Sequence, residues 1–391
     1  MLSRGAPRQP PLGPGPAACP PLYTSDGYVA PWLPYCPSAA PAAARGGGAP
    51  PLGAAPDTRT LRRPAHTALD VRPCEAAPRF AVVVSAHDAA HVLGRNVEAL
   101  LKHTTGLWEL IVVLDACRDG SEAAARAALL RGLERAADVG GLVRARLVVQ
   151  PDAIWETSSD NLGMQLADAR AEWLLLVQAD IQVGERGWNA RLALPGEVWR
   201  DVWAVSGRAA HNVARGRYED TPGFNMTAGR DLEALPSAEA LQAAAKTFYI
   251  RDALNRGPVA LRADVARGLG FFNERDFHLG RDEHELMLRA YVDKGLRCGY
   301  YDVGFAMPKG DGASRRKGRK SQRSTRDWAY LVYRLARKQR AAAAANAVAL
   351  GKLPHWNEER AVPPDALPKA LQAAEQQQSD AACGSGRMTI R

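Results

Sequence analysis

No apolar run in the 391-residue chain approaches the roughly 18–20 residues that a membrane-spanning helix requires, which argues against a protein inserted by its own helix. Cysteine is scarce. The six (Cys19, Cys36, Cys74, Cys117, Cys298 and Cys383) form no CxxC pair, which argues against a disulfide scaffold and against a structural zinc site. The opening stretch MLSRGAPRQPPLGPGP lacks the continuous apolar segment of a signal peptide. The expected compartment is therefore cytoplasmic, with a secretory lumen following only if the N-terminus is incomplete. No HExxH motif occurs, and the HxxxH spacing of His87 and His91 has no third nitrogen or sulfur ligand nearby in sequence, so zinc is not expected.

Charge of one sign is also concentrated rather than spread. The chain carries a net +9, yet residues 309–340 alone hold 12 Lys/Arg against 2 acids. A near-neutral body with one basic segment differs from a nucleic-acid binder, whose basic face is built into its fold. The run RRKGRKSQRSTR at 315–326 reads as a solvated tail, a contact for diphosphate or an anionic membrane surface, or a localisation signal.

What is present falls into three parts. Residues 1–78 hold 17 of the 27 prolines, and proline propagates neither helix nor sheet, so this stretch reads as a disordered arm. From Phe80 the texture changes. FAVVVS, ELIVVL, ARLVVQ and EWLLLVQ (80–85, 109–114, 145–150 and 172–178) are short buried-strand runs. The intervals 89–103, 120–137 and 157–170 read as helices, and such alternation indicates a parallel sheet covered on both faces. Further helices are expected near 262–268 and 282–294, with a strand near 297–301. The fold expected is α/β, a single domain over 79–312 with a mostly parallel central sheet flanked by helices. Residues 313–391 read as a basic helical extension, helical over 327–349, and a loose Gln/Ala tail.

Ligands of open α/β sheets bind beyond the carboxyl ends of the strands. The four runs end at Ser85-Ala86-His87-Asp88, at Leu114-Asp115 followed by Asp119, at Gln150-Pro151-Asp152 and at Gln178-Ala179-Asp180, so each delivers a carboxylate to one edge. Any single Asp there also serves as a turn former or helix cap. Several together need a cation or a donor to offset them. Neither GxGxxG nor GxxxxGK[ST] follows the first strand, so a dinucleotide site or phosphate loop is disfavoured, and oxygen ligands from Asp suit Mg²⁺ or Mn²⁺. A second acidic group, Asp282-Glu283-His284-Glu285, opens an amphipathic helix closing at Arg289, which reads equally as a charged helix start.

These residues together resemble glycosyltransferase family 2, with the GT-A fold, over about 80–312. LDACRDGS keeps Asp115 and Asp119 of a DDxSxD-type segment. Gln178-Ala179-Asp180 stands where that family has a DxD metal motif. Asp282 to Arg289 stands for its EDxDLxxR, and Asn161, Gly163 and Ala167 match an NxGxxxA stretch. The resemblance implies inverting transfer of a sugar from a nucleotide-diphosphate donor to a glycan, protein or lipid acceptor. It implies Asp115 against the nucleotide base with His87 nearby, Gln178 and Asp180 on the donor, Asp180 on Mn²⁺ or Mg²⁺, and Glu283 as catalytic base supported by Asp282. It also implies a substrate loop of Asn255, Arg256, Gly257 and Pro258, with Trp188-Asn189 and Gly207-Arg208 near a sugar unless Trp188 is core. The chain departs from the family at Gln178, which replaces an acid, and over 304–309, where no metal-binding His occurs and Lys309 or the basic run offers charge instead. Two alternatives stay open: a non-catalytic nucleotide- or glycan-binding protein of the same fold, and a nucleotidyltransferase.

Overall fold

The four apolar runs become the centre of one sheet because each is buried on both faces. The computed structural model describes residues 65–135, 141–211, 247–251, 253–274, 277, 280, 282–307, 358–381 and 389–390. In chain order the first half comprises β1 (His66–Arg72), β2 (Phe80–Ala86), α1 (Ala90–His103), β3 (Trp108–Asp115), α2 (Ser121–Glu134), β4 (Leu142–Gln150), α3 (Trp155–Leu166) and β5 (Trp173–Gln178). Next come β6 (Gln182–Val183), α4 (Trp188–Val198), β7 (Val202–Ser206) and β8 (Ala210–His211). The second half has β9 (Thr247–Arg251), β10 (Ala253–Leu254), β11 (Val259–Arg262), α5 (Ala263–Leu269), α6 (Asp282–Lys294), β12 (Arg297–Tyr300) and β13 (Phe305–Ala306). It closes with β14 (Glu358–Ala361), α7 (Ala366–Asp380) and β15 (Thr389–Ile390).

An eleven-stranded sheet runs in the order β14-β9-β12-β7-β11-β5-β2-β3-β4-β1-β15. Strands β4, β3, β2 and β5 pair in parallel at its centre. Among the eleven, only β1, β9 and β11 run against the rest, so the sheet is mostly parallel. Alternate residues of β2 feed two cores. Phe80, Val82 and Val84 pack with Leu93 of α1, Leu129 of α2 and Leu192 of α4. Ala81 and Val83 pack with Met164 of α3, Val265 of α5 and Leu286 of α6. Period-2 burial on both faces is what layered α/β architecture requires.

Several boundaries differ from the sequence reading. Strand β1 lies inside the stretch read as an arm and pairs antiparallel with β4. It occupies the proline-free interval between Pro64 and Pro73, and Arg144 on β4 clamps its Asp70 through bonds of 2.9 and 2.6 Å. The Gln/Ala stretch read as a loose tail contains α7, whose Leu367, Ala370 and Ala374 are buried. Ala374 rests near Gly106, and small residues at this spacing carry little apolar signal in a sequence. The helix expected over 157–170 ends at Leu166. Among the described cysteines, Cys117 and Cys298 are free. The basic run 315–326, the helix expected over 327–349 and Lys309 lie outside the described residues.

Candidate functional site

The carboxyl edge of β2, β3 and β5 is where the candidate residues gather, and α3 is the element that joins them. Asp115, 5% exposed, ends β3 and accepts two backbone N–H groups at the start of α3: Ile154 N at 2.7 Å and Trp155 N at 2.8 Å. These are amides that a helix leaves unpaired within itself, so Asp115 caps α3 from a neighbouring strand. His87 bonds the Asp115 carbonyl oxygen at 2.5 Å. A carbonyl only accepts, so His87 donates from Nδ1. Asp88 and Asp119 are committed to the turns. Asp88 accepts Arg118 N at 2.8 Å, and Asp119 accepts Ala90 N at 2.9 Å and Ser121 N at 2.9 Å. The bland reading of strand-end Asp residues thus holds for these two.

One turn into α3, the side chains face a buried guanidinium. Arg256 is 4% exposed and stacks over Phe272, 4.7 Å from its ring centre. It lies 2.6 Å from Asp160, 3.6 Å from Glu156 and 3.9 Å from Glu283, and it pairs closely with Asp282. Burial opposes its charge, but Glu156, Asp160 and Glu283 outweigh that cost and hold its pKa above the ordinary value. Burial pushes Asp160 up to about 6, against the pull of Arg256 and of the Ser85 hydroxyl, which donates to it at 2.6 Å. Asp282 is fully enclosed, and its Oδ1 accepts Glu283 N at 2.9 Å. The Glu283 side chain keeps about a tenth of its surface open.

Gln178 connects this ring to β7. Its Nε2 donates to Glu156 Oε1 at 2.9 Å, and its Oε1 accepts from Arg208 NH1 at 3.0 Å. The turn after β5 that carries Asp180 is pinned by buried Asn96 on α1, which donates to the carbonyls of Gln178 and Ile181. The 255–258 loop closes over Gln178. Gly257 has φ +64°, and a Cβ there would stand 2.9 Å from Gln178 Cγ, so this close approach requires glycine. Ser206 Oγ donates to the Asn255 carbonyl at 2.7 Å, and Gly207 N donates to the Pro258 carbonyl at 2.9 Å, which ties the loop to the end of β7.

Asp115, Gln178, Arg256, Asp282 and Glu283 therefore belong to one edge, linked through α3, and Asp180 lies two residues beyond Gln178 in the turn after β5. Other motif positions are structural. Asn161 clamps the backbone of Phe272 through bonds of 2.9 and 3.0 Å, and a Cβ at Gly163 would lie 2.2 Å from Val83, so NxGxxxA seats α3 on β2. Arg289 holds the carbonyls of Leu269 and Phe271 and bonds Glu285. Trp188 is core, its indole donating to Thr104 at 3.1 Å, and Asn189 brackets the backbone of Thr105. Burial raises the thiol pKa of Cys117.

No family model matches this chain, and no curated protein matches it either. Solved structures overlap it loosely. A mannosyltransferase of Pyrobaculum calidifontis, in complex with GDP-Man and Mn²⁺, shares 18% identity at a TM-score of 0.43, over 83% of this chain and 90% of that one. TarS of S. aureus (residues 1–349) shares 14% identity at a TM-score of 0.40, over 77% of this chain and 71% of that one. GalNAc-T7 with UDP, GalNAc and Mn²⁺ shares 14% identity at a TM-score of 0.43, over 60% of this chain and 44% of that one. The chemistry of the present chain has to be read from its own residues.

Sequence reasoning passed over Glu156, Asp160 and Trp155. Asp160 lies inside the helix expected over 157–170 and Glu156 just before it, and no spacing rule relates them to residue 256, about a hundred positions away. Trp155 is the exposed large hydrophobic among the described residues, 49% accessible with φ +69°, at the rim beside Asp115. At position 178 the side chain does not fit Mn²⁺ or Mg²⁺, because an amide bonded to both Glu156 and Arg208 offers no anionic oxygen. Gln178 replaces the first acid and is turned to a guanidinium, and no group of three or more His, Cys, Asp or Glu able to hold a metal occurs among the described residues. A pocket of about 400 Å³ touching Arg79, Leu107 and Glu172 opens at the amino ends of β2, β3 and β5, the edge opposite these residues.

Proposed function

We propose that this chain is an inverting glycosyltransferase that moves a sugar from a nucleotide-diphosphate donor to an acceptor hydroxyl. One observation carries the reading: two adjacent acids share one buried guanidinium, with Asp282 sealed and Glu283 left partly open. A carboxylate that must take a proton needs access, and its neighbour must not move. Glu283 removes the proton of the attacking hydroxyl as that oxygen bonds the anomeric carbon. The bond from that carbon to the phosphate oxygen breaks, and its electron pair leaves with the diphosphate. Asp282, locked by Arg256, holds the start of α6 in place. Asp115, with His87 and the rim of Trp155, forms the base end of the donor site, and the 255–258 loop covers the sugar.

The test is a panel of UDP- and GDP-linked sugars, assayed for released nucleotide diphosphate. The expected result is release by the wild-type chain and a loss of roughly 10²–10⁴ in Glu283→Gln, the range for a general base. Nucleotide binding with no release would favour the non-catalytic reading, which Gln178 in place of an acid also suits. Pyrophosphate release from a triphosphate would favour a nucleotidyltransferase.

A further inference from the structure

Gln178 occupies the position where an acid would hold a metal, and its amide orientation follows from its partners. Glu156 only accepts, so the amide nitrogen faces it at 2.9 Å. Arg208 only donates, so the amide oxygen faces the guanidinium at 3.0 Å. An acid at 178 would set a second carboxylate against Glu156, whereas the neutral amide passes from an anion on one side to a cation on the other. Arg256 is enclosed by carboxylates. Arg208 stands half-buried at the carboxyl edge of β7, which leaves part of its side chain accessible. Its backbone N–H donates to Ser206 Oγ at 3.0 Å, and the same hydroxyl donates to the Asn255 carbonyl, so the turn bearing Arg208 is fixed to the loop over Gln178.

We propose that the Arg208 guanidinium, presented by Gln178, receives the diphosphate of the donor, so that this chain holds a nucleoside diphosphate without a divalent cation. The inference rests on the donor reading above. A guanidinium is permanently charged and offers paired N–H donors matched to phosphate oxygens, which lets it neutralise a leaving diphosphate in place of a metal. Gln178 acts as a positioning residue, because it fixes where the fork points without carrying charge itself.

Calorimetric titration of the full chain with UDP and with GDP, first in EDTA and then in MnCl₂, tests this. The expected result is the same affinity in both, within about twofold, and an affinity that falls with added salt. Arg208→Ala is expected to weaken binding roughly tenfold or more, the worth of a lost charge-assisted hydrogen bond, with Arg208→Lys falling between. Gln178→Leu, which removes the amide contact but keeps the charge of the guanidinium, is expected to weaken binding less than Arg208→Ala while retaining the salt dependence. Melting curves check that each variant folds. Binding that appears only with Mn²⁺, or an Arg208→Ala variant that binds as wild type, would overturn the inference and leave the donor reading standing. Absence of binding by either nucleotide under both conditions would overturn both.

Discussion

Asp115 and the acids around Arg256 lie at the same end of α3, yet their charges are offset in different ways. Asp115 is held by two backbone amides. Glu156, Asp160, Asp282 and Glu283 share one guanidinium. The first arrangement is local and cheap: amides that had to be satisfied anyway satisfy a carboxylate. The second is a surplus of negative charge around a single buried cation, where burial above all, and then Glu156 beside it, raises the affinity of Asp160 for its proton. Charge in surplus at a sheet edge is a poor way to stabilise a fold, which is why it points to chemistry.

Removing the cation breaks the comparison most severely. Arg256→Met is expected to cost about 3–5 kcal/mol in urea unfolding, because it leaves buried carboxylates without their partner. A cost below about 1 kcal/mol would mean that the ring is solvated and the contrast with Asp115 is empty. Asp115→Ala strands the amides of Ile154 and Trp155 and should cost about 2 kcal/mol in the same measurement.

The pH dependence separates the two clusters further. Asp160 has a folded pKa of about 6, above its ordinary 3.8, so the folded state keeps a proton that the unfolded chain has released. Its contribution to stability is therefore greatest below the ordinary value and is lost as pH rises towards about 6. Unfolding free energies compared across that window should show this decline in the wild type and a shallower one in Asp160→Asn. An equal slope in both would assign the proton elsewhere in the ring.

The smallest effect sharpens the role of the rim. Trp155 has φ +69°, a conformation that costs an L-residue about 1–2 kcal/mol, offset in glycine by its larger folding entropy. Trp155→Gly should leave stability within about 1 kcal/mol of wild type while weakening nucleotide binding. A large drop in stability would instead make the indole part of the packing.

The sequence by itself determined the layered core and the edge at which polar residues collect. Apolar runs such as Val82 to Val84 must be buried on both faces, and a parallel strand ends where its helix begins, so Asp115, Gln178 and Asp180 are brought to one side by local pattern alone. The acid pair Asp282-Glu283 read from sequence equally as a charged helix start, and the guanidinium it shares came only with the fold. Tertiary structure alone decided the partners. Arg256 meets Asp160 across 96 positions of chain, and Arg208 meets Gln178 across 30. Strand β1 and helix α7 likewise took their places through pairing with β4 and packing beside Gly106. Periodicity records which face of an element is buried; it holds no information about which distant charge will share that burial, because that depends on how the elements cross.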